Sequence, residues 1–279
     1  ESPIPTLEMV EKSGVDPNGI IVEITEHGGN LENLKRLTKA YQDAGLKVAI
    51  DDFGAGASQI DRVIELEPDF IKLDMGLFKA ALLGGYAADI VLSIVSMAQR
   101  AGCKIICEGV ESEEEFYFAI ECGADYIQGW LFDPALPQWL SCDSYRKHVD
   151  SMKAGYLQQK SHLLEVSARH NQEVAQTLLQ LSKRLDSENA LVSIVENLPI
   201  REAKRLGVLQ FFLCDPAGNQ ISDNVVVGDE SLQLKDCYRG YNWAHRPYFP
   251  LLSAMNRLQR DHIVVSDSYR DFGSGQLCK

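Results

Sequence analysis

The run Leu46-Lys47-Val48-Ala49-Ile50-Asp51-Asp52 decides the fold class of the first half of the chain. Its first residues predict a buried β-strand, and two carboxylates stand at the end of that strand. Similar short β-rich runs recur at 20–24, 70–73, 104–107 and 126–128, and helical patterns at 31–44, 87–101 and 113–122 lie between them. Alternation of this kind predicts an α/β fold with parallel strands and helical crossovers.

Every predicted strand of this region ends in polar side chains, which are Glu23, Asp51, Asp52, Lys72, Asp74, Glu108 and Gln128. Parallel strands bring their carboxyl ends to one edge, and in a (β/α)8 barrel that edge is where active sites form. An open doubly wound sheet is the competing architecture, but it concentrates its site at one switch point. Polar groups on successive strands favour a barrel.

Carboxylates crowded at one edge repel one another unless a cation lies among them. Ligand sets made only of oxygen select hard ions, which are Mg²⁺, Mn²⁺ or Ca²⁺, and no histidine stands at these strand ends. Two such ions can clamp a phosphodiester and activate water, while a lysine neutralises charge on phosphate. The pattern predicts metal-assisted phosphodiester hydrolysis. The competing interpretation is that these are acidic loop residues that cap helices.

Five segments of the first half resemble the successive motifs of EAL domains, which are cyclic di-GMP phosphodiesterases with a modified TIM (β/α)8 barrel. The segments are Glu23-Ile24-Thr25-Glu26, Asp51-Asp52-Phe53-Gly54-Ala55-Gly56, Ile71-Lys72-Leu73-Asp74, Glu108-Gly109-Val110-Glu111 and Gln128-Gly129, within residues 5–140. The resemblance implies a cyclic-guanylate-specific phosphodiesterase that forms linear pGpG, acts as a homodimer and uses Mg²⁺ or Mn²⁺, with Ca²⁺ as an inhibitory substitute.

The same resemblance implies roles for individual residues. Glu23, Asp51, Asp52 and Glu108 would be metal ligands, with Glu108 and Lys72 as the catalytic pair. The residues implied to line the substrate site or support the loop over the metals are Gln128, Glu26, Glu111 and Asp74.

Two departures from the family pattern shape the alternatives. The Glu-Ala-Leu signature and an asparagine ligand belong upstream of residue 5, so we expect a barrel whose first strands are missing from this chain. The loop reads Ala55, Ala57 and Gln59 where the family usually has threonine, an aromatic residue and serine. This second departure motivates the alternative of a catalytically weak or inactive cyclic di-GMP receptor. A protein that only interacts with partners, through a degenerate site, is a third hypothesis.

The second half has a different pattern. We expect an EAL barrel domain at 1–150, a helical linker at 151–200 and an α+β domain at 201–279 that is incomplete. An apolar stripe from Leu163 to Leu185 indicates a helix that packs on its neighbours, or alternatively a signalling or dimerising helix. Strands are predicted at 208–213, 221–227 and 263–266, with a helix after Pro250.

The segments Asn242–Phe249 and Ser266–Tyr269 resemble those of Cache/PAS-like sensor domains. That resemblance implies a small-molecule pocket with Trp243, Arg246, Tyr248, Asp267 and Tyr269 as candidates. Arg246 could pair with a carboxylate and Asp267 with an amine, between aromatic walls. The alternative is structural: the aromatic residues fill the core and Arg246 pairs with Asp267.

Composition limits the classes of partner. The formal net charge of −13 argues against broad binding to DNA or RNA, which needs clustered lysine and arginine. The 7 cysteines contain no CxxC pair, which favours buried thiols in a reducing cytosol over a disulfide framework or zinc site. No apolar stretch is long enough to span a bilayer. A cytoplasmic location is therefore expected.

Overall fold

The structure of the chain is a computed structural model. The structure describes residues 4–25, 30–56, 60–183, 194, 198–235, 238–258, 263–266, 268–271 and 275–278. The chain divides into two compact units, Glu1–Gln158 and Gln159–Lys279. The expected boundaries at 150 and 200 remain predictions.

Unit 1 contains a parallel sheet of five strands, which confirms the predicted α/β fold. The strands are β1 (Ile21–Ile24), β2 (Lys47–Phe53), β3 (Phe70–Leu73), β4 (Lys104–Glu108) and β5 (Tyr126–Gln128), paired in the order β1-β2-β3-β4-β5. A doubly wound sheet reverses its strand order at the switch point, and this sheet has no such reversal. The sequential order is consistent with a TIM-like fold.

An α-helix precedes β1, and further α-helices of unit 1 connect its strands. In chain order these helices are α1 (Pro5–Ser13), α2 (Leu31–Asp43), α3 (Ile60–Leu66), α4 (Met75–Leu82), α5 (Gly85–Arg100) and α6 (Glu113–Cys122). The predicted α2 and α6 are confirmed, and both have the polar N-caps that start a helix, Asn30 and Ser112. The sequence patterns did not predict α1 or α4. Both are short, so neither offers enough turns for a clear periodic signal.

The predicted helix α5 is confirmed. Val91, Val95 and Ala98 are its buried residues, and Ile94 and Met97 pack against the same core while partly buried. Ile90 is 51% exposed. The helix carries apolar residues on more than one side, so packing against the sheet selects the face that is buried.

Two cysteines lie in the core beneath the sheet. Cys107, on β4, is fully buried and Cys122, at the end of α6, is 5% exposed. Burial raises the pKa of each thiol to about 12. All six cysteines among the described residues are free thiols.

These two thiols predict a loss of stability at alkaline pH. In the unfolded chain they ionise near pH 9, whereas in the folded protein they keep their protons up to about pH 12. The free energy of unfolding should therefore carry their full contribution below about pH 9 and lose it as the pH rises toward 12. Urea unfolding at several pH values measures the slope. Cys107→Ala should flatten the slope, and the exposed Cys142→Ser should leave it unchanged; an unaltered slope in Cys107→Ala would contradict the prediction.

A long helix, α7 (Arg146–Ser182), has residues in both units. Met152, near its start, is buried in the core of unit 1, and Leu181, near its end, is buried with Leu198 and Ala203 in unit 2. Between them the predicted apolar stripe is largely exposed, since Leu163 and Leu164 are each 58% exposed. The prediction that this stripe packs on neighbours holds only near its end.

Unit 2 is built from short antiparallel strands and helices. The described elements are α8 (Ile200–Arg205), β6 (Gln210–Phe211), β7 (Asn224–Val227), β8 (Leu232–Lys235), α9 (Tyr248–Leu258), β9 (Tyr269–Arg270) and β10 (Leu277–Cys278). The sheet β6-β7-β8 is antiparallel, and β9 pairs with β10. The predicted strand at 263–266 is wrong, because these residues have no strand pairing. An apolar run does not by itself distinguish a strand from a buried extended segment.

No helix in the described part of the chain is both long and apolar enough to cross a membrane.

Candidate metal centre

A buried lysine joins the carboxylates at the strand ends. Lys72 Nζ lies 2.9 Å from Glu23 Oε1, 2.8 Å from Asp51 Oδ1 and 2.6 Å from Glu108 Oε1. The Lys72 side chain is 5% exposed, whereas Glu23 remains 47% exposed. The structure therefore brings together residues from β1, β2, β3 and β4 that the sequence places far apart.

Strand register explains how Lys72 reaches these groups. The Cα of Lys72 pairs with Ile106, two residues before Glu108 on β4. Side chains two residues apart on a strand share one face, so the lysine stem extends along that face toward the carboxyl ends. A shorter side chain at position 72 would not reach the plane of the carboxylates.

Asp51 and Asp52 are adjacent in β2, where neighbouring side chains normally point to opposite faces of the sheet. The pairing of β2 with β3 shifts register between Ile50 and Phe53, which marks a bulge, and Asp52 has a left-handed φ of 53°. As a result, carboxylate oxygens of Asp51, Asp52 and Glu108 all lie within 4.8 Å of one another. The bulge places both aspartates on the same side of the sheet. The residue pattern alone does not predict this bulge.

The electrostatics of this group favour a cation. Burial lowers the pKa of Lys72, but its hydrogen bonds to Asp51, Glu108 and Glu23 outweigh burial and hold that pKa above its ordinary value. Burial raises the pKa of Glu108 above its ordinary value, and Lys72 opposes this rise only in part. Two unit charges 5 Å apart repel by roughly 3 kcal/mol at an effective dielectric constant of about 20.

The donor set fits a hard divalent ion. Carboxylate oxygens of Asp51, Asp52 and Glu108 converge from two strands, and such all-oxygen sets suit Mg²⁺, Mn²⁺ or Ca²⁺. Glu23, the fourth predicted ligand, is close to Lys72 but is not part of this convergent group. Asp51, Asp52 and Glu108 would hold the ion. Glu23 is linked to this group by Lys72, whose ammonium group contacts Glu23 as well as Asp51 and Glu108.

The segment after β5 is pressed against the turn after β4. Glu108 pairs with Gln128 across the two strands. Val110 N donates to Gln128 O at 3.1 Å, and Val110 O accepts from Leu131 N at 3.0 Å. Gly129 lies between these two hydrogen bonds, and a Cβ there would come within 2.1 Å of Val110 O. Only glycine fits, which explains the Gln128-Gly129 pair and fixes Gln128 beside Glu108.

The remaining predicted residues of this unit have other contacts. Asp74 caps α4 by accepting from Leu77 N at 2.9 Å. Glu111 Oε2 lies 3.5 Å from Lys79 Nζ. Glu26 and the loop residues 57–59 lie outside the described residues, so the predicted loop support is a prediction that the structure leaves open.

In unit 2, four of the five pocket candidates lie close together. The Arg246 guanidinium carbon is 5.7 Å from the centre of the Trp243 ring and 5.8 Å from that of Tyr269. Burial raises the pKa of Tyr248. Tyr269 raises this pKa further, whereas the positive charge of Arg246 lowers it. Asp267 lies outside the described residues.

Trp243 is also tied to a buried polar network that sequence reasoning missed. Its indole nitrogen donates to Gln220 Oε1 at 3.0 Å, and the Gln220 amide donates to Asn224 Oδ1 at 2.6 Å. Asn224 donates in turn to Gln210 Oε1 at 2.8 Å. Gln220 and Asn224 are each 1% exposed. Buried amides of this kind need their partners, so this network argues that Trp243 has a structural role.

A cavity of about 620 Å³ opens in unit 2 between α7 and the strand segments. Its lining includes His170, Leu178, Phe211, Tyr248 and Tyr269. Small-molecule sites commonly have volumes of roughly 300–1,000 Å³. Trp243 and Arg246 are not among the described lining residues, so the cavity and the predicted pocket overlap only at the two tyrosines.

Comparison with known proteins identifies relatives of both halves. The EAL domain family matches residues 4–135, and the family of EAL-domain associated signalling protein domains matches residues 142–279. The chain is 25% identical to the uncharacterized EAL-domain containing protein YkuI of Bacillus subtilis over 284 residues, covering 100% of this chain and 69% of YkuI. It is 37% identical over 128 residues to the cyclic di-GMP phosphodiesterase RocR of Pseudomonas aeruginosa, covering 44% of this chain and 32% of RocR.

The crystal structure of Bacillus subtilis YkuI, in complex with substrate c-di-GMP and calcium, has a similar fold. The TM-score is 0.82 at 24% identity, and the match covers 98% of this chain and 67% of that one. The chain thus spans about two thirds of YkuI and about a third of RocR. The predicted resemblance to EAL domains is confirmed: residues 4–135 are an EAL domain, and residues 142–279 belong to the family of EAL-domain associated signalling protein domains.

Proposed function

We propose that this protein hydrolyses cyclic di-GMP to linear pGpG with Mg²⁺ or Mn²⁺, and that Ca²⁺ binds as an inhibitory substitute. The observation that carries the proposal is the convergence of Asp51, Asp52 and Glu108 within 4.8 Å, next to a buried Lys72. Cyclic di-GMP phosphodiesterases among the relatives, such as RocR, support the substrate.

The chemistry divides among the residues as follows. Asp51, Asp52 and Glu108 would hold the divalent ions, which when bound polarise the phosphodiester and activate water for attack. Lys72 holds the carboxylates in place and adds a fixed positive charge beside the phosphate oxygens. Glu108, whose pKa is raised by burial, is suited to accept the proton of the attacking water.

The net reaction adds water across one of the two phosphodiester bonds. The water oxygen bonds to phosphorus, and the leaving ribose oxygen takes up a proton. Gln128, which pairs with Glu108 across β4 and β5, would contact the nucleotide from the neighbouring strand. Glu111 and Asp74 would act indirectly, since Asp74 caps α4 and Glu111 approaches Lys79.

Incubation of the purified protein with cyclic di-GMP and Mn²⁺ tests the activity. Linear pGpG should appear by chromatography, and Glu108→Gln should reduce its rate by at least about 100-fold, as expected for loss of a proton acceptor. The exposed substitution Glu114→Gln, in the first turn of α6, is the matched control and should retain activity. Absence of product from the wild type would overturn the proposal.

A receptor is the second candidate, and the loop sequence at Ala55–Gln59 favours it. A receptor would bind cyclic di-GMP tightly and release none of it as linear product. Turnover that Glu108→Gln abolishes would exclude this candidate. A protein with a degenerate site is less well supported, because the predicted acidic residues Asp51, Asp52 and Glu108 converge.

We further infer that the C-terminal domain regulates the EAL domain. The support is that α7 has Met152 buried in one core and Leu181 in the other, within one helix. A small molecule held near Tyr248 and Tyr269 would lie in the same cavity as His170 and Leu178 of α7. The Cache/PAS-like type of this domain, homodimer formation and a cytoplasmic location remain proposals.

A further inference from the structure

One carboxylate on α6 holds the turn that follows Glu108. Glu115 Oε2 accepts from the backbone nitrogens of Glu111, at 2.6 Å, and of Ser112, at 3.2 Å. The bond to Ser112 belongs to a capping box, in which Glu115 N donates back to Ser112 Oγ at 3.2 Å. The hydrogen bond from Glu111 N is not part of the capping box. It fixes the backbone one residue before the N-cap, on the side toward Glu108.

A lysine from a different β/α unit holds this carboxylate in turn. Lys79 Nζ contacts the other oxygen, Glu115 Oε1, and lies 3.5 Å from Glu111 Oε2. Lys79 belongs to α4, which begins directly after β3 and therefore after Lys72. The Lys79–Glu115 pair thus ties the segment after β3 to the segment after β4.

The backbone between Glu108 and Glu111 is also restricted by contacts at Gly109 and Val110. Gly109 has a left-handed φ of 68°, and a Cβ there would meet Met75 Cγ at 2.4 Å. Val110 is fully buried and bonded to Gln128. The turn is therefore held at Gly109, Val110 and Glu111, and the last of these points depends on Glu115.

We propose that Lys79 and Glu115 are positioning residues that fix Glu108 for divalent metal binding. This inference rests on the proposed metal-dependent function of the same site. The Glu115 side chain is 13% exposed and that of Lys79 31% exposed. The pair is therefore partly buried, and its contacts with the backbone and side chain of Glu111 assign it to orientation of the turn. Groups that orient metal ligands commonly change metal affinity when they are removed.

Three variants separate charge from helix capping. Lys79→Met removes the ammonium group, and Lys79→Arg restores a cation. Glu115→Gln keeps an oxygen for the backbone nitrogens of Glu111 and Ser112, and places an amide nitrogen opposite Lys79. Mn²⁺ binding to the whole protein, measured by electron paramagnetic resonance, should weaken about tenfold in Lys79→Met and in Glu115→Gln. Lys79→Arg should recover most of that affinity.

The other edge of the same sheet provides a matched control. Lys47 Nζ lies 2.9 Å from Asp69 Oδ1, and Asp69 Oδ2 accepts from Val48 N at 3.0 Å. This pair also joins a lysine, a carboxylate and a backbone nitrogen. Lys47→Met should leave Mn²⁺ affinity unchanged even where it lowers the melting temperature as much as Lys79→Met.

Two results would overturn the inference: Lys79→Met that binds Mn²⁺ as the wild type does, or Lys47→Met that weakens binding equally. If Lys79→Met unfolds, Glu115→Gln decides the question, because wild-type Mn²⁺ affinity in that variant would overturn the inference as well. A wild type that binds Mn²⁺ but forms no linear product would remove the proposed hydrolysis, and the affinity comparison would remain valid.

Discussion

Lys72→Met is expected to lower the free energy of unfolding by about 3–5 kcal/mol in metal-free buffer, the range for removal of one partner from a buried ion pair. Lys72 is 5% exposed and contacts Glu23, Asp51 and Glu108. Methionine fills nearly the same volume as lysine, so the loss of stability is electrostatic. The carboxylates that share one ammonium group in the wild type would repel one another directly in the variant. Urea denaturation at neutral pH measures this change.

The same variant should respond more strongly to metal than the wild type. Without the ammonium group the site is more negative, and a ligand that binds only the folded state stabilises it. Added Mn²⁺ should therefore raise the free energy of unfolding of Lys72→Met more than that of the wild type. The Lys72→Met variant should not hydrolyse cyclic di-GMP even with Mn²⁺ bound. Glu108→Gln is the contrasting variant. It leaves Lys72 with Glu23 and Asp51, and it should cost less stability than Lys72→Met.

A loss of stability in Glu108→Gln as large as that in Lys72→Met would contradict this account. It would mean that packing at the strand ends, and not the balance of charge, holds the cluster together. Equal stability of Lys72→Met and the wild type would contradict it as well.

Gly129→Ala is the second substitution with a large expected effect. Its Cβ would lie 2.1 Å from Val110 O and 2.4 Å from Val110 N, so one backbone segment must move away from the other. Overpacking commonly costs about 1–3 kcal/mol, and backbone obstruction places this variant near about 3 kcal/mol. The movement should also break the hydrogen bond from Val110 N to Gln128 O and weaken Mn²⁺ binding at Glu108.

Gly19→Ala is the matched control for this substitution. A Cβ at Gly19 has no heavy atom within 4 Å, and the residue does not need a left-handed backbone. Its unfolding free energy should stay within about 0.5 kcal/mol of the wild type, as for ordinary surface substitutions. Guanidinium unfolding of both variants checks the contrast. A Gly129→Ala protein as stable as Gly19→Ala would show that the two segments can separate without cost.

The strand pattern of unit 1 could be predicted because it depends on local sequence. Each strand is a short apolar run with polar residues at its end, and α6 begins at a capping box that can be seen in Ser112 and Glu115. The short strands of unit 2 were harder to predict. β8 has mixed polarity and was not predicted, and the apolar run at 263–266 is not a strand. In antiparallel pairs this short, tertiary contacts outweigh local preference.

The sequence by itself determined the candidate metal ligands, Glu23, Asp51, Asp52 and Glu108, and placed Lys72 near them, because all of these residues stand at or near strand ends and strand order is a local property. Only the tertiary structure decided how they meet. Strand register sets the reach of Lys72, and the bulge with its left-handed Asp52 turns two adjacent aspartates to one side. The Lys79–Glu115 contact joins residues 36 positions apart. Helix and strand periodicity relates only residues within one element, so it does not predict this contact. Such contacts depend on how the β/α units pack, so they follow from the fold and not from any single segment.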